Sequence, residues 1–305
     1  TANQIPIIQF VQYRYEMFFT HNDVPVQRFR CSPDFTNWEF SPFVFTNAPT
    51  DSENARSPFR KGKPSGKDVG AFVSFTLDAI NSWVSTTAYL TGDVIQYSGK
   101  TYQATQDNNN KQPDISASYW VEVTAGSGGF SASDVGKYIE VNGGIIRITQ
   151  YVATNVINGE ILKKLDDDVQ AIERSWTILP LAFNSDDGYP RCCTYFKQRL
   201  VLANTKKAPN KIWLSAVGGN ANFRETTDDG DAFSVVSASG LANSILFLEA
   251  QRGVVCLTSG GEYMVSSDGV LTPTTVNINE HTAFGAYPVT RPCRVGNEIL
   301  FIQRG

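Results

Sequence analysis

The chain has 305 residues, which is enough for about two or three compact units that each bury a core. Hydrophobic residues make up 41% of the chain and charged residues only 18%, below the usual value of about a quarter. With its many Gly, Ser, Thr and Asn residues, this composition favours turn-rich β structure. The formal net charge of −4 lacks the basic excess that binding to phosphate backbones requires, so it disfavours sequence-specific DNA binding.

The five cysteines form no C-x-x-C pair and have no regular spacing, so we expect buried free thiols instead of a zinc site or a disulfide framework. The first residues have no positively charged segment followed by an apolar core. No apolar run approaches the roughly 18 residues of a membrane span, so neither a leader nor a membrane anchor is predicted. The strand-like run Phe301–Gly305 has no closing element, which is typical of one piece of a longer polypeptide.

The first part of the chain predicts two short strands, Tyr15–Phe19 and Trp38–Phe45, separated by a polar stretch. Residues 47–70 are rich in Pro, Ser, Gly, Asn and charge and lack an apolar period, which predicts a linker and a boundary near residue 70. A strand predicted over 71–77 then leads into an aromatic segment over 83–123. The Gly-rich run 125–129 predicts a second boundary.

A small third unit is predicted over 126–178. Its clearest feature is a β-hairpin in which Tyr138–Val141 and Ile145–Ile148 pair across Asn142-Gly143-Gly144. Between Glu160 and Glu173 apolar residues recur near helical spacing, so a helix is predicted there. After Trp176 short strands recur at intervals of about ten residues, which is typical of a sandwich, barrel or propeller sheet. They are Leu200–Leu202, Lys211–Leu214, Phe233–Val236, Ile245–Leu248, Val254–Leu257, Glu262–Val265 and Glu298–Phe301.

Residues with catalytic or metal-binding chemistry are sparse. His21 and His281 are far apart in sequence and have no metal spacing. The acidic cluster of Asp228, Asp229 and Asp231 does not match a calcium loop and favours a solvated turn. Neither a phosphate-binding glycine loop nor a G-x-S-x-G motif occurs. We therefore predict a protein that is not an enzyme and has no metal and no cofactor.

The aromatic segment allows two interpretations. Six large rings fall within 38 positions and alternate with turn residues; they are Trp83, Tyr89, Tyr97, Tyr102, Tyr119 and Trp120. So small a unit needs aromatic side chains to build a core. Exposed rings can also stack on the apolar face of a sugar. Both interpretations stay open at this point.

The stretch Trp83–Ala104, followed by Pro113 and Tyr119–Val123, resembles the small chitin- and cellulose-binding modules of carbohydrate-binding families 5 and 12. This resemblance implies a compact three-stranded β unit. It also implies that the candidate carbohydrate-binding residues, in the aromatic positions of the family, are Trp83, Tyr97, Tyr102 and Trp120. Phe130–Ile139 is similar to the opening of a small β module of phage tail proteins that is related in fold to the first catalytic-cysteine half-domain of ubiquitin-activating enzymes.

A third resemblance covers roughly the first 45 and the last 125 residues. Seven segments resemble the tail nozzle family, also called tail tubular protein B, of short-tailed bacteriophages. They are Tyr15–Phe45, Gly188–Pro190, Phe196–Leu200, Pro209–Ser215, Asn222–Phe223, Gly261–Tyr263 and Leu271–Pro273. The resemblance implies an all-β, multidomain fold with a split propeller-like or sandwich-like core. Residues 1–70 and 179–305 would form the core, incomplete at its C-terminus, and residues 71–125 and 126–178 would be inserted modules.

The same resemblance implies a structural virion protein of the phage tail, assembled in the host cytoplasm. It would form a sixfold ring below the portal and adaptor, contact tail fibre proteins, and surround DNA that passes through without sequence-specific binding. An alternative is a receptor-binding tail protein whose 83–123 module binds a host surface glycan. A tail-borne glycan hydrolase is a third hypothesis, for which the sequence has no signature.

Overall fold

The computed structural model describes residues 7–52, 55–124, 126–225, 228–236 and 243–304. Within these ranges the chain forms β-strands and short 3₁₀ turns and no α-helix, so the predicted all-β fold is confirmed. The first residues, and parts of the predicted linker and of the Gly-rich run at 125–129, lie outside the described residues. In the described part of the chain no helix is long and apolar enough to cross a membrane.

Contacts divide the chain into two compact units. The first unit combines Thr1–Thr50 with Ala182–Gly305, and the second is the continuous segment Asp51–Leu181. The divisions lie next to residues 50 and 181, whereas the sequence predicted boundaries near 70, 125 and 178. The first unit is therefore built from two distant pieces of the chain.

The first unit begins with a four-stranded antiparallel sheet in chain order. Its strands are β1 (Gln9–Tyr13), β2 (Glu16–His21), β3 (Val24–Cys31) and β4 (Trp38–Pro42). Strands β2 and β4 were predicted, but no strand was predicted in the polar stretch that separates them. It contains β3, in which Val26 and Cys31 are buried although Gln27, Arg28 and Arg30 make the segment look polar. Asn22 and Asp23 form the tight turn between β2 and β3.

The second unit contains strands β5 to β15. They are β5 (Gly62–Pro64), β6 (Phe72–Leu77), β7 (Ala88–Tyr89), β8 (Val94–Tyr97), β9 (Lys100–Ala104), β10 (Asn108–Asn109), β11 (Trp120–Val123), β12 (Tyr138–Val141), β13 (Gly144–Ala153), β14 (Val156–Lys163) and β15 (Thr177–Leu179). A six-stranded sheet has the order β15-β12-β13-β14-β6-β5. The aromatic segment forms a three-stranded sheet β11-β9-β8 and the pair β10-β7, which we call the aromatic module (residues 81–123).

The predicted hairpin is confirmed as β12 and β13, with Val141 opposite Gly144. The helix predicted over Glu160–Glu173 is wrong, because Val156–Lys163 is strand β14 and pairs with both β13 and β6. The apolar residues of that segment do not share one face: Ile161 and Leu165 are fully buried, whereas Val169 and Ile172 are exposed. Strand β6 pairs with β5 and β14, so residues 71–77 belong to the six-stranded sheet and not to the aromatic module.

The core of the six-stranded sheet surrounds Trp176, whose indole Nε1 donates to the carbonyl of Arg60 at 2.7 Å. The Trp176 ring lies 5.0 Å from that of Phe75, centroid to centroid. Gly62 passes so close to both rings that a Cβ there would lie 2.3 Å from Phe75 Cζ. Only glycine fits this position without displacement of the core.

The first unit resumes with two more four-stranded antiparallel sheets, each again in chain order, and a final hairpin. The strands are β16 (Cys192–Phe196), β17 (Arg199–Ala203), β18 (Lys211–Leu214), β19 (Phe233–Val236), β20 (Ile245–Ala250), β21 (Val254–Thr258), β22 (Glu262–Ser266), β23 (Asn277–Thr282), β24 (Cys293–Val295) and β25 (Glu298–Leu300). Each strand that the sequence predicted after Trp176 is thereby confirmed.

The β16–β19 sheet is the middle layer of the first unit, because strand β17 is buried at every residue. Val201 and Ala203 pack in a cluster with residues of β20–β22. Leu200 and Leu202, on the opposite face, pack with Phe18 of β2 and other residues of the first sheet. Four cysteines are buried free thiols as predicted, whereas Cys293 is exposed. Their burial raises the pKa of the Cys193 and Cys256 thiols to about 12.

Candidate functional site

The outer side of the first sheet is an uncharged surface rich in aromatic rings. Opposed residues of antiparallel strands share one face, and Phe10 pairs with Phe19, Met17 with Phe29, and Phe29 with Phe40. We call this surface the aromatic face. It consists of Phe10, Gln12, Met17, Phe19, Gln27, Phe29, Trp38, Phe40 and Pro42, and every one of these side chains is uncharged.

The rings of the aromatic face contact one another across the strands. The Phe19 ring lies 6.0 Å from that of Phe10 and 5.9 Å from that of Phe40. Phe29 and Trp38 are stacked at 5.2 Å with an interplanar angle of 23°. Solvent still reaches much of this surface, since Phe10 is 43%, Trp38 58% and Phe40 63% exposed. The inner side of the same sheet is core and holds Phe18 and Val26.

The charged side chains of the first sheet lie at the alternate register positions. Glu16 is opposite Arg30 and contacts Arg28 at 3.5 Å, both on the side away from the aromatic face. At the border of the face, the Arg291 guanidinium lies 4.3 Å from the Phe10 ring centroid and donates to the Phe10 carbonyl at 2.8 Å. The centre of the face therefore offers apolar contact, and its edge offers hydrogen-bond donors.

Sequence reasoning missed the aromatic face, although a signal for it exists. Phe18 and Phe19 are neighbours on one strand, so their rings must point to opposite sides of the sheet. A strand with rings on both sides has either two buried faces or one exposed apolar face. Trp38 and Phe40 alternate with polar residues. This pattern alone did not reveal that the side of the sheet carrying the two rings faces solvent.

The four candidate carbohydrate-binding residues separate into two groups. Trp120 is 3% and Tyr102 7% exposed, so both belong to the core of the aromatic module, and the Trp120 indole donates to the Lys111 carbonyl at 2.7 Å. Trp83 and Tyr97 are half-buried and meet edge to face, 5.6 Å apart and at 85°. The four rings do not form one exposed row. Carbohydrate binding by the module stays a prediction. Of the four candidate residues, only Trp83 and Tyr97 have rings that a sugar could reach.

A cleft of about 300 Å³ lies between residues 55–60 and the aromatic module. The Arg60 guanidinium donates to the Asp78 carbonyl, and its burial lowers the pKa of Arg60. Arg56 lies 3.9 Å from Asp134, and Asp93 is paired with Arg174. Each of these charges is held by an opposite charge or by a carbonyl, which is the arrangement of a structural joint.

The two histidines have different surroundings. His21 is buried in the first unit, and its Nδ1 accepts a hydrogen bond from the Asp23 backbone at 3.0 Å. Burial lowers the pKa of His21, and this outweighs the opposite effect of the Asp23 carboxylate. His281 lies exposed on β23. In the described ranges no three His, Cys, Asp or Glu side chains come together as a metal site.

The acidic cluster at 228–231 has a structural partner. Arg199 is 1% exposed and donates to the carbonyls of Asp231 at 2.6 Å, Asp229 at 2.9 Å and Ser215 at 2.6 Å. Its guanidinium also lies 5.3 Å from the Phe233 ring centroid. The carbonyl oxygens of Asp229 and Asp231, which could otherwise bind a calcium ion, thus accept hydrogen bonds from the Arg199 guanidinium.

No family model matches the chain, and no relative is found among curated proteins. Function is therefore inferred from the residues and contacts described above.

Proposed function

We propose that the chain is a non-enzymatic structural subunit of a bacteriophage tail. Copies of it would assemble as a ring below the portal and adaptor, and DNA would leave through the central channel. The observation that carries the proposal is the architecture of the first unit. Three four-stranded antiparallel sheets and the two-stranded hairpin β24–β25 follow one another in chain order, and one continuous segment interrupts the series.

This series of sheets is what a propeller-like core requires, because each blade of a propeller is a four-stranded antiparallel sheet. The interruption at residues 51–181 supplies an additional unit with its own core clusters. Such an insertion adds surface for partners and leaves the sheets of the first unit intact. The tail nozzle resemblance covers the two pieces of the first unit, and the resemblances to small β modules lie within the second.

The charge of the chain is compatible with a DNA conduit. A duplex that passes through a channel must not bind tightly, and a net charge of −4 gives no general attraction for phosphates. The uncharged aromatic face offers subunit contact that does not depend on salt. The proposed ring therefore requires contacts between subunits and no catalytic activity.

The test is the mass of the purified protein in solution, alone and mixed with the portal and adaptor proteins of its phage. We expect ring-sized assemblies, formed either alone or on the adaptor, that electron microscopy shows as closed rings. A protein that remains a monomer under both conditions would contradict the proposal. Retention of such a monomer on host polysaccharide would support the receptor-binding alternative instead.

A further inference from the structure

We infer that the aromatic face of the first sheet is the surface on which a second copy of this chain docks. The inference rests on the proposed ring and names the surface through which one subunit meets the next. It starts from the exposed rings of Phe10, Trp38 and Phe40, which together form the most exposed part of the face.

The area of the face is large for a surface that stays in water. An aromatic side chain carries about 150–250 Å² of surface, so these three rings at 43%, 58% and 63% exposure present on the order of 300 Å². The half-buried Met17, Phe19 and Phe29 add to it. Apolar patches of a few hundred Å² mark interaction sites, and a standard interface buries about 800 Å² on each partner. The face thus supplies the apolar centre of an interface.

The chemistry of the face favours an uncharged occupant. A charged group placed against Phe19, Phe29 or Phe40 would lose its water and gain no partner, which is costly. Nucleic acid is disfavoured as well, because among the described residues the cation found at the face is Arg291 at its border. A partner must therefore bring apolar side chains to the centre and hydrogen-bond acceptors to the edge.

A second copy of the chain meets these requirements. In a ring the contact is heterologous, so the aromatic face of one copy meets a different surface of the next, and the first unit exposes apolar side chains for it at Phe284, Tyr287 and Val289. Contact between these neutral surfaces involves no repulsion between like charges at the interface itself. Gln12, Gln27 and Arg291 would form the polar rim.

The β4 edge of the first sheet, with which no other described strand pairs, supports the same occupant. In the order β1-β2-β3-β4, strand β4 lies at the edge, and it carries both Trp38 and Phe40. Exposed edge strands with apolar side chains promote uncontrolled pairing, and proteins normally cover them. Docking of a second copy over Trp38 and Phe40 would cover this edge in the assembly.

The test compares Phe40→Glu and Trp38→Glu with the wild-type full chain by sedimentation over a range of concentrations, alone and with the adaptor. Because Phe40 and Trp38 are exposed, both variants should keep the circular dichroism spectrum and unfolding temperature of the wild type. Phe72→Glu is the matched control, since Phe72 is 76% exposed but lies in the second unit. We expect self-association at least about 30-fold weaker for both face variants, as for loss of an interface anchor, and unchanged for the control.

The outcomes separate this inference from the proposed function. If both face variants still form the rings of the wild type, the aromatic face is not the contact between subunits, whereas the proposed ring still stands. A wild-type dimer that the face variants dissociate would support the face and contradict the ring. Normal self-association with lost adaptor binding would assign the face to the adaptor and overturn the inference. A wild-type monomer under every condition would overturn both.

Discussion

The guanidinium of Arg174 lies against the carboxylate of Asp93, 81 positions earlier in the chain. Asp93 also accepts a hydrogen bond from the Leu90 backbone at 2.8 Å, and the Arg174 guanidinium covers the Phe59 ring at 4.6 Å. The pair therefore connects the aromatic module to the loop before β15. It is one of the contacts that join the module to the rest of the second unit, as is the hydrogen bond from the Asn81 amide to the Glu173 carboxylate at 3.1 Å.

We predict that Arg174→Met destabilises the second unit by about 3 kcal/mol, because it leaves the buried Asp93 carboxylate without its cation. Urea unfolding of the full chain, followed by tryptophan fluorescence, measures this loss. Lys100→Met is the control, since the pair of Lys100 and Glu122 has the same chemistry at an exposed site and should change nothing measurable. Equal unfolding curves for Arg174→Met and the wild type would show that the joint does not depend on this pair.

For the first unit, we predict a larger loss of stability when Arg199 is replaced. Arg199→Met removes the donors to the Ser215, Asp229 and Asp231 carbonyls, and a hydrogen bond from a charged donor contributes about 1.5–3 kcal/mol. We expect a loss of at least about 4 kcal/mol in unfolding free energy, or a protein that does not accumulate in soluble form. Arg294→Met, at an exposed position on β24, is the control. Soluble Arg199→Met protein of wild-type stability would contradict the structural role.

We predict that the stability of the first unit depends on pH through His21. Burial holds the pKa of His21 below its usual value of about 6.5. The unfolded chain therefore binds a proton at His21 at a higher pH than the native chain does. Its contribution to stability is complete above pH 6.5 and is lost as the pH falls below this value.

The measurement is the free energy of unfolding at several pH values between 5 and 8 for the wild type and His21→Gln. We expect the difference between them to be constant above pH 6.5 and to shrink below it. His281→Gln is the matched control because its imidazole is exposed on β23, so this substitution should leave the free energy of unfolding close to that of the wild type. A constant difference for His21→Gln over the whole range would refute the assignment.

Much of the β architecture could be predicted because strand patterns are local. The strands after Trp176 and the hairpin at Asn142-Gly143 are examples, since turn residues and apolar runs define them without reference to the rest of the fold. The segment after Glu160 could not be predicted in this way. Ile161 and Leu165 are buried in a cluster that includes Val73 and Phe75 of the distant strand β6, and their helix-like spacing is a coincidence of a strand followed by a loop.

The candidate sites show the same limit. Aromatic residues were correctly recognised as important in residues 83–123, but burial decides their role, and Trp120 and Trp83 have similar sequence surroundings. The aromatic face was missed because alternation at Trp38 and Phe40 defines a face without saying which side is covered. That information depends on Phe18 and Val26, which pack on the other side against the middle sheet.

The two tryptophans of the aromatic module provide the last prediction. Trp120→Ala should remove the centre of the module core and cost about 3–5 kcal/mol, because Trp120 packs on Tyr89 at 5.1 Å and is almost fully buried. Trp83→Ala should cost clearly less, since Trp83 is half-buried and meets only the edge of the cluster.

Hydrogen exchange of residues 88–123 in both variants measures the difference. We expect loss of protection in Trp120→Ala and near-normal protection in Trp83→Ala. A folded Trp83→Ala protein then becomes the proper reagent for host polysaccharide retention, because its failure to bind would report on the half-buried Trp83 ring and not on the fold. Equal loss of protection in the two variants would show that Trp83 supports the core, so that its loss could not be used to test sugar binding.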